Sequence, residues 1–128
     1  MSDTSSANRY LAIKVVMMPR DTNAEGTIFG GVILSLIDQA AYVEAVRQAH
    51  RRFVTMAMDK IVFHHPVFVG DVLSLYAEAV KVGRSSLTIK VRVSARRRLD
   101  PEQTISVTEA EVVFVALGED SKPTPIFE

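Results

Sequence analysis

The chain has 128 residues, fifteen Lys and Arg against fifteen Asp and Glu, and no Cys. That length supports a single domain with one core, and the balanced charge gives no general attraction for nucleic acid or an anionic membrane. Without Cys there is no disulfide, thiolate metal site or thiol nucleophile, which fits a reducing, cytoplasmic setting and leaves catalysis to oxygen, nitrogen or backbone groups.

The start, Met1 to Asn8, is polar and small, with no basic stretch leading into an apolar run, so it does not read as a secretory signal. Residues 1–9 are expected to be loosely ordered, the folded domain to span 10–119, and 120–128 to form a tail. Apolar stretches are broken by charges well short of the roughly 20 residues that a spanning helix needs. Tyr10 to Met17 mixes β-branched and apolar residues and stops before Pro19, as a first strand would. Asp21 to Gly30 is turn-like. From Gly31 to about His50 the chain is rich in Leu, Ile, Ala, Gln and Glu without Pro, which predicts one long helix of about five turns. Val32, Ile33, Leu36, Ile37, Ala40 and Val43 cover more than one of its faces, so other structure should wrap it.

Four strands are predicted after the helix: Phe53 to Phe63, Val72 to Val82, Ser86 to Arg96 and Thr104 to Leu117. The third alternates cleanly, with Leu87, Ile89, Val91, Val93 and Ala95 on one side and Ser86, Thr88, Lys90, Arg92 and Ser94 on the other. Gly70-Asp71, Gly83-Arg84-Ser85 and Asp100-Pro101 are turn signals, so the last three strands should form an antiparallel meander. The Pro-rich end Lys122-Pro123-Thr124-Pro125 reads as a surface tail. The class is α+β: a long central helix wrapped by a five- to six-stranded antiparallel sheet. One such sheet leaves the far side of the helix uncovered, and a second copy would close it, so at least a homodimer is expected.

Asp38 is the residue that this pattern does not explain. Helical spacing stacks it with Gly31, Leu34, Ala41 and Ala45 on a stripe that is otherwise apolar or small. An acid there can bond backbone or solvent at a subunit seam, or it can act as a general base or nucleophile. Gly30-Gly31 falls where the helix should begin, and the unshielded amides of a helix start suit a group that develops negative charge. Asp38 lies about 12 Å further along at ~1.5 Å rise per residue, too far to share one carbonyl with Gly30 of the same chain. A second subunit would have to bring the two together.

The run Asn23-Ala24-Glu25-Gly26-Thr27-Ile28-Phe29-Gly30-Gly31, followed by Asp38, resembles the acyl-coenzyme A thioesterases of the hotdog superfamily. Agreement extends through Val54-Thr55, Phe63, Pro66-Val67 and Gly70-Asp71, and covers Ala12 to about Leu117. The resemblance implies a hotdog fold and hydrolysis of acyl-CoA thioesters without a cofactor, coenzyme A being part of the substrate. It implies that the Gly30 amide polarises the thioester carbonyl, that Asp38 activates water or attacks directly, and that Asn23 orients water or the carbonyl. Gly31, Phe29 and Thr55 would touch substrate. Phe29 stands where much of the wider superfamily has a His before the Gly pair, as in the branch acting on short and medium acyl-CoA, and that removes one polar contact.

Arg84 and Ser85, in the Gly83–Ser86 turn, and the run Arg96-Arg97-Arg98 are candidates for the coenzyme A phosphates. His64 and His65 read as surface or seam residues, and no second His or carboxylate stands at metal-ligand spacing. Two other readings of the scaffold are a non-catalytic acyl-CoA binding or sensing module and a hydratase. A sensor should lack the acid that this chain keeps, and a hydratase needs an acid and base pair that no spacing here provides. The resemblance also implies tetramers or hexamers.

Overall fold

The computed structural model describes residues 9–127. The expectation of a loose segment at 1–9 therefore lies almost wholly outside the described residues. The elements are β1 (Tyr10–Val16), a short 3-10 turn (Pro19–Asp21), α1 (Gly30–Gln48), β2 (Arg52–Phe63), β3 (Val72–Val82), β4 (Ser86–Arg96) and β5 (Thr104–Leu117). The five strands form one antiparallel sheet in the order β1-β3-β4-β5-β2. Single crossovers put β1 and β2 at the two edges, although both precede the meander in the chain.

Alternation decides which face meets the helix. Leu73, Leu75 and Ala77 of β3, and Leu87, Ile89 and Val91 of β4, are fully buried against Ile33, Ile37, Ala40, Ala41 and Ala45 of α1. At about 25 cal/mol per Å² of apolar surface, this layer is the main source of stability. The helix ends two residues earlier than its composition suggests, because Ala49 is extended (φ −160°). Its far side stays uncovered: Gly31, Ser35, Gln39 and Tyr42 are exposed. The edge strand β2 is poorly covered too, with Phe53 its only buried residue and Met56 63% exposed.

One buried acid, Asp71, holds the loops. Asp71 forms a short ion pair with Arg97 and accepts the Phe68 N–H at 2.9 Å, while Arg97 also donates to the carbonyl of Pro66 at 3.1 Å. Between them Gly70 has φ +90°, and the Arg98 side chain lies where a Cβ would stand. On the outer face, the hydrogen bond from Lys90 lowers the Glu109 pKa below its ordinary value, helped by the charges of Lys90, Arg92 and His64.

Residues 120–127 do not form the surface tail that their Pro-rich sequence suggests. The Thr124 N–H donates to the Ala116 carbonyl and the Ile126 N–H to the Arg84 carbonyl, both at 2.9 Å. The Ile126 side chain is buried in the core, and that apolar burial is the force that folds the segment back.

Candidate active site

The loop before α1 is built by its own side chains. Asn23 Oδ1 accepts the N–H groups of Glu25 (2.9 Å) and Thr27 (3.1 Å), and Asn23 Nδ2 donates to Thr27 Oγ1 (2.9 Å). This closes a tight turn in which Gly26 takes φ +86°. The Ile28 N–H then bonds to Val67 O and the Phe29 N–H to Asp21 O, both at 2.8 Å. Asn23 is thus the turn-former of the loop, and both of its polar atoms are engaged within it.

The loop delivers the chain to α1 with Phe29 as its cap, and Phe29 offers no side-chain acceptor. The Gly30 and Gly31 amides have no intrahelical partner and lie at the positive dipole end of the helix, while the Val32 N–H is taken by the Phe29 carbonyl at 3.0 Å. A cavity of about 270 Å³ opens there, lined by Gly30, Ile28, Phe63, His64 and His65 among others. A second, of about 450 Å³, lies along the open side of the first turns beside Phe29, Gly31, Ser35 and Gln39. The Phe29 ring lies over Gly31, where a Cβ would sit 2.7 Å from ring carbon Cε2, so a glycine is what allows this ring to fold onto the helix.

Asp38 emerges two turns later, next to β2. Its Oδ1 accepts a hydrogen bond from Thr55 Oγ1 at 2.8 Å. In β2 the register to β5 slips between Thr55 and Ala57, with Met56 as the extra residue. Such a bulge re-aims the side chains beside it, here turning the Thr55 hydroxyl toward the helix. Asp38 is half-buried, and among the described residues nothing bonds its Oδ2. One oxygen is held and the other is open, the arrangement of a carboxylate that can take a proton or attack an electrophile.

The predicted residues thus fall into three groups. Asp38 and Thr55 are in contact; Asn23, Phe29, Gly30 and Gly31 form the loop and helix start; Arg84 and Ser85 close the β3–β4 turn, just past the row Thr55–Phe114–Leu87 and two strands away from Thr55. The Arg84 side chain is exposed, and the Arg84 and Ser85 carbonyls are used by Ile126 and Ala116. In the run Arg96-Arg97-Arg98, Arg97 is committed to Asp71. Sequence reasoning read His64 and His65 as surface or seam residues, and their link to Gly30 is made only by the fold. It passed over Glu44, a buried acid on α1 held by Arg47 Nε (2.8 Å) and Gln48 Nε2 (2.6 Å). The spacing Glu44, Arg47, Gln48 at i, i+3 and i+4 was the available signal. Among the described residues no cluster of His, Cys, Asp or Glu could hold a metal ion, and no helix is long and apolar enough to cross a membrane.

The family model described as Thioesterase superfamily matches residues 25–101. A Zymomonas mobilis protein named uncharacterized acyl-CoA thioester hydrolase ZMO0511 is 48% identical over 116 residues, covering 90% of this chain and 76% of its own. The acyl-CoA thioester hydrolase YciA of Salmonella typhimurium is 38% identical over 118 residues, 91% of this chain and 89% of its own. The crystal structure of Cj0915, a hexameric hotdog fold thioesterase of Campylobacter jejuni, superposes with a TM-score of 0.84 at 44% identity, covering 91% of this chain and 89% of that one. With the helix start, the held carboxylate and these likenesses together, the chain belongs to the thioesterase superfamily, among its hotdog-fold acyl-CoA thioesterases.

Proposed function

We propose that the protein hydrolyses acyl-CoA thioesters through Asp38, with the helix start at Gly30 as the site for the developing oxyanion. The observation that carries this reading is the Asp38 carboxylate, held at one oxygen by Thr55 and open at the other. In the reaction the thioester oxygen takes hydrogen bonds from first-turn amides at Gly30, which stabilise the charge that forms as the carbonyl carbon becomes tetrahedral. Asp38 either takes a proton from water, whose oxygen attacks the carbonyl carbon, or attacks that carbon itself to form an anhydride that water then opens. The C–S bond breaks, coenzyme A leaves as a thiolate, and the acyl group leaves as a carboxylic acid. A thiolate is a good leaving group, so no strong general acid is required.

Thr55 fixes the rotamer of Asp38. Asn23 acts by fixing the loop that presents Gly30, and Gly31 with Phe29 shapes the acyl side of the site. Arg84 and Ser85 face the coenzyme A phosphates. Because Asp38 and Gly30 of one chain stand about 12 Å apart along the helix, the working site pairs Gly30 of one copy with Asp38 of another across the uncovered helix face. The exposed apolar residues there and the long open edge of β2 support such a contact. The full assembly is a hexamer, like the Campylobacter jejuni relative. The cysteine-free composition fits a reducing compartment, and the cytoplasm is its place.

The test is release of free coenzyme A from a panel of acyl-CoA thioesters. Wild type should turn over at least one of them, and Asp38→Ala, folded and assembled, should lose at least about a hundredfold. Wild type that binds acyl-CoA and releases nothing would sink the proposal.

A further inference from the structure

The outer face of the sheet, away from α1, carries one row unlike its neighbours. Lys14 of β1 lies opposite Ser74 of β3, Ser74 opposite Ser94 of β4, and Ser94 opposite Ser106 of β5. Three short side chains side by side leave a trough in the middle of the face. One wall is the pair Tyr76 and Arg92, the other the pair Arg96 and Thr104. Two depressions of about 160 and 300 Å³ lie here, and they share Tyr76, Ser94 and Thr104, so they form one hollow. Arg9 closes one end, with its guanidinium 5.3 Å from the centre of the Tyr76 ring.

The charges of this hollow are not balanced within it. Elsewhere on the same face cations and acids pair off: Lys90 with Glu109 at 3.0 Å, and Lys60 with Glu111 at 3.4 Å. At the hollow, Arg92 is paired with Glu78 at 2.9 Å. Among the described residues Lys14 and Arg96 have no ion-pair partner. Two uncommitted cations therefore flank a line of hydroxyls that can donate hydrogen bonds, and Ser74 is nearly buried at its centre. Several hydroxyl donors with a guanidinium and an ammonium match a tetrahedral dianion, which offers more acceptor positions than a carboxylate does.

We propose that this trough binds the phosphate group of a small phosphorylated ligand, at a site on the opposite face of the sheet from Asp38. Arg96 and Lys14 hold the charge, the serine row supplies hydrogen bonds, and the rest of the ligand lies along Tyr76. The site is independent of the thioesterase reading, since none of its residues belongs to the helix start or touches Asp38.

The experiment is calorimetric titration of the assembled protein, in phosphate- and sulfate-free buffer, with inorganic phosphate and separately with adenosine monophosphate. Saturable binding of either probe is expected, weakened at least tenfold in both Lys14→Glu and Arg96→Glu and changed less than twofold in Lys122→Glu, an exposed cation that lines neither depression. Tighter binding of the nucleotide identifies a phosphate ester as the ligand, and equal binding identifies free phosphate. Lys14 is exposed, so its variant reports even where Arg96→Glu misfolds. The proposal is overturned if wild type binds neither probe, or if both variants bind as wild type does. It is equally overturned if the charge reversals split the assembly in sedimentation while wild type binds no phosphate, for then the trough is a contact between copies.

Discussion

The two halves of α1 each carry a carboxylate, in opposite states. Near the C-terminal end Glu44 is 1% exposed, with one oxygen bound by Arg47 and the other by Gln48, and the Arg47 guanidinium rests 3.9 Å from the centre of the Tyr10 ring. That acid ties the end of the helix to the start of β1. In the N-terminal half Asp38 has one partner, a hydroxyl from a bulged edge strand, and one open oxygen. A buried acid with both oxygens taken stabilises a fold, while one held at a single oxygen keeps a lone pair for chemistry. Burial alone would have pointed to the wrong residue.

Exchanging the properties of the two acids tests this contrast. Asp38→Asn keeps the shape and removes the base, so kcat should fall at least about a hundredfold with the urea midpoint nearly unchanged. Glu44→Ala should do the reverse. It strands Arg47 and Gln48 and costs about 2 kcal/mol of unfolding free energy, read in urea, while turnover per folded molecule is kept. Thr55→Val should lower kcat/KM about tenfold, near the ~1.4 kcal/mol of one hydrogen bond to a charged group, with Thr55→Ser restoring most of it. The smallest effect concerns an acid outside the helix. Glu109 titrates below its ordinary value because of Lys90. A lowered carboxyl pKa adds stability that is present above the unfolded-state value and lost as pH falls through the folded one. Wild type should therefore lose more stability than Lys90→Met between about pH 5 and pH 3, by less than about 1 kcal/mol for so exposed a pair.

Strand identities were legible in the sequence because the signal is local. Val72–Val82, Ser86–Arg96 and Thr104–Leu117 fall where alternation and turn residues put them. Pairing of β2 with β5 was not legible, since nothing near Arg52–Phe63 names a partner some fifty residues later in the chain. At the site, Asp38 stood out as an acid on an apolar stripe and Gly30 as a helix start, but the Met56 bulge that turns Thr55 toward Asp38 depends on strand register. Asp71 read as a turn residue and proved to be a buried ion-pair partner of Arg97, because the partner comes from a distant loop. The C-terminal segment was misread for a related reason: Pro signals a loop, and only the core shows that there is a place for Ile126.

The pairing of Arg52 with Leu117, and of Phe63 with Thr108, also sets an order of events during synthesis. When β2 leaves the ribosome its only neighbour in the sheet has not yet been made, and it must wait while β3 and β4 emerge and pair with β1 and with each other. For that interval an apolar strand has two free edges, and the helix before it gains its main sheet partners only as β3 and β4 appear. A nascent chain stalled before Thr104 should thus be a good client for a ribosome-bound chaperone, and one stalled after Phe127 a poor one.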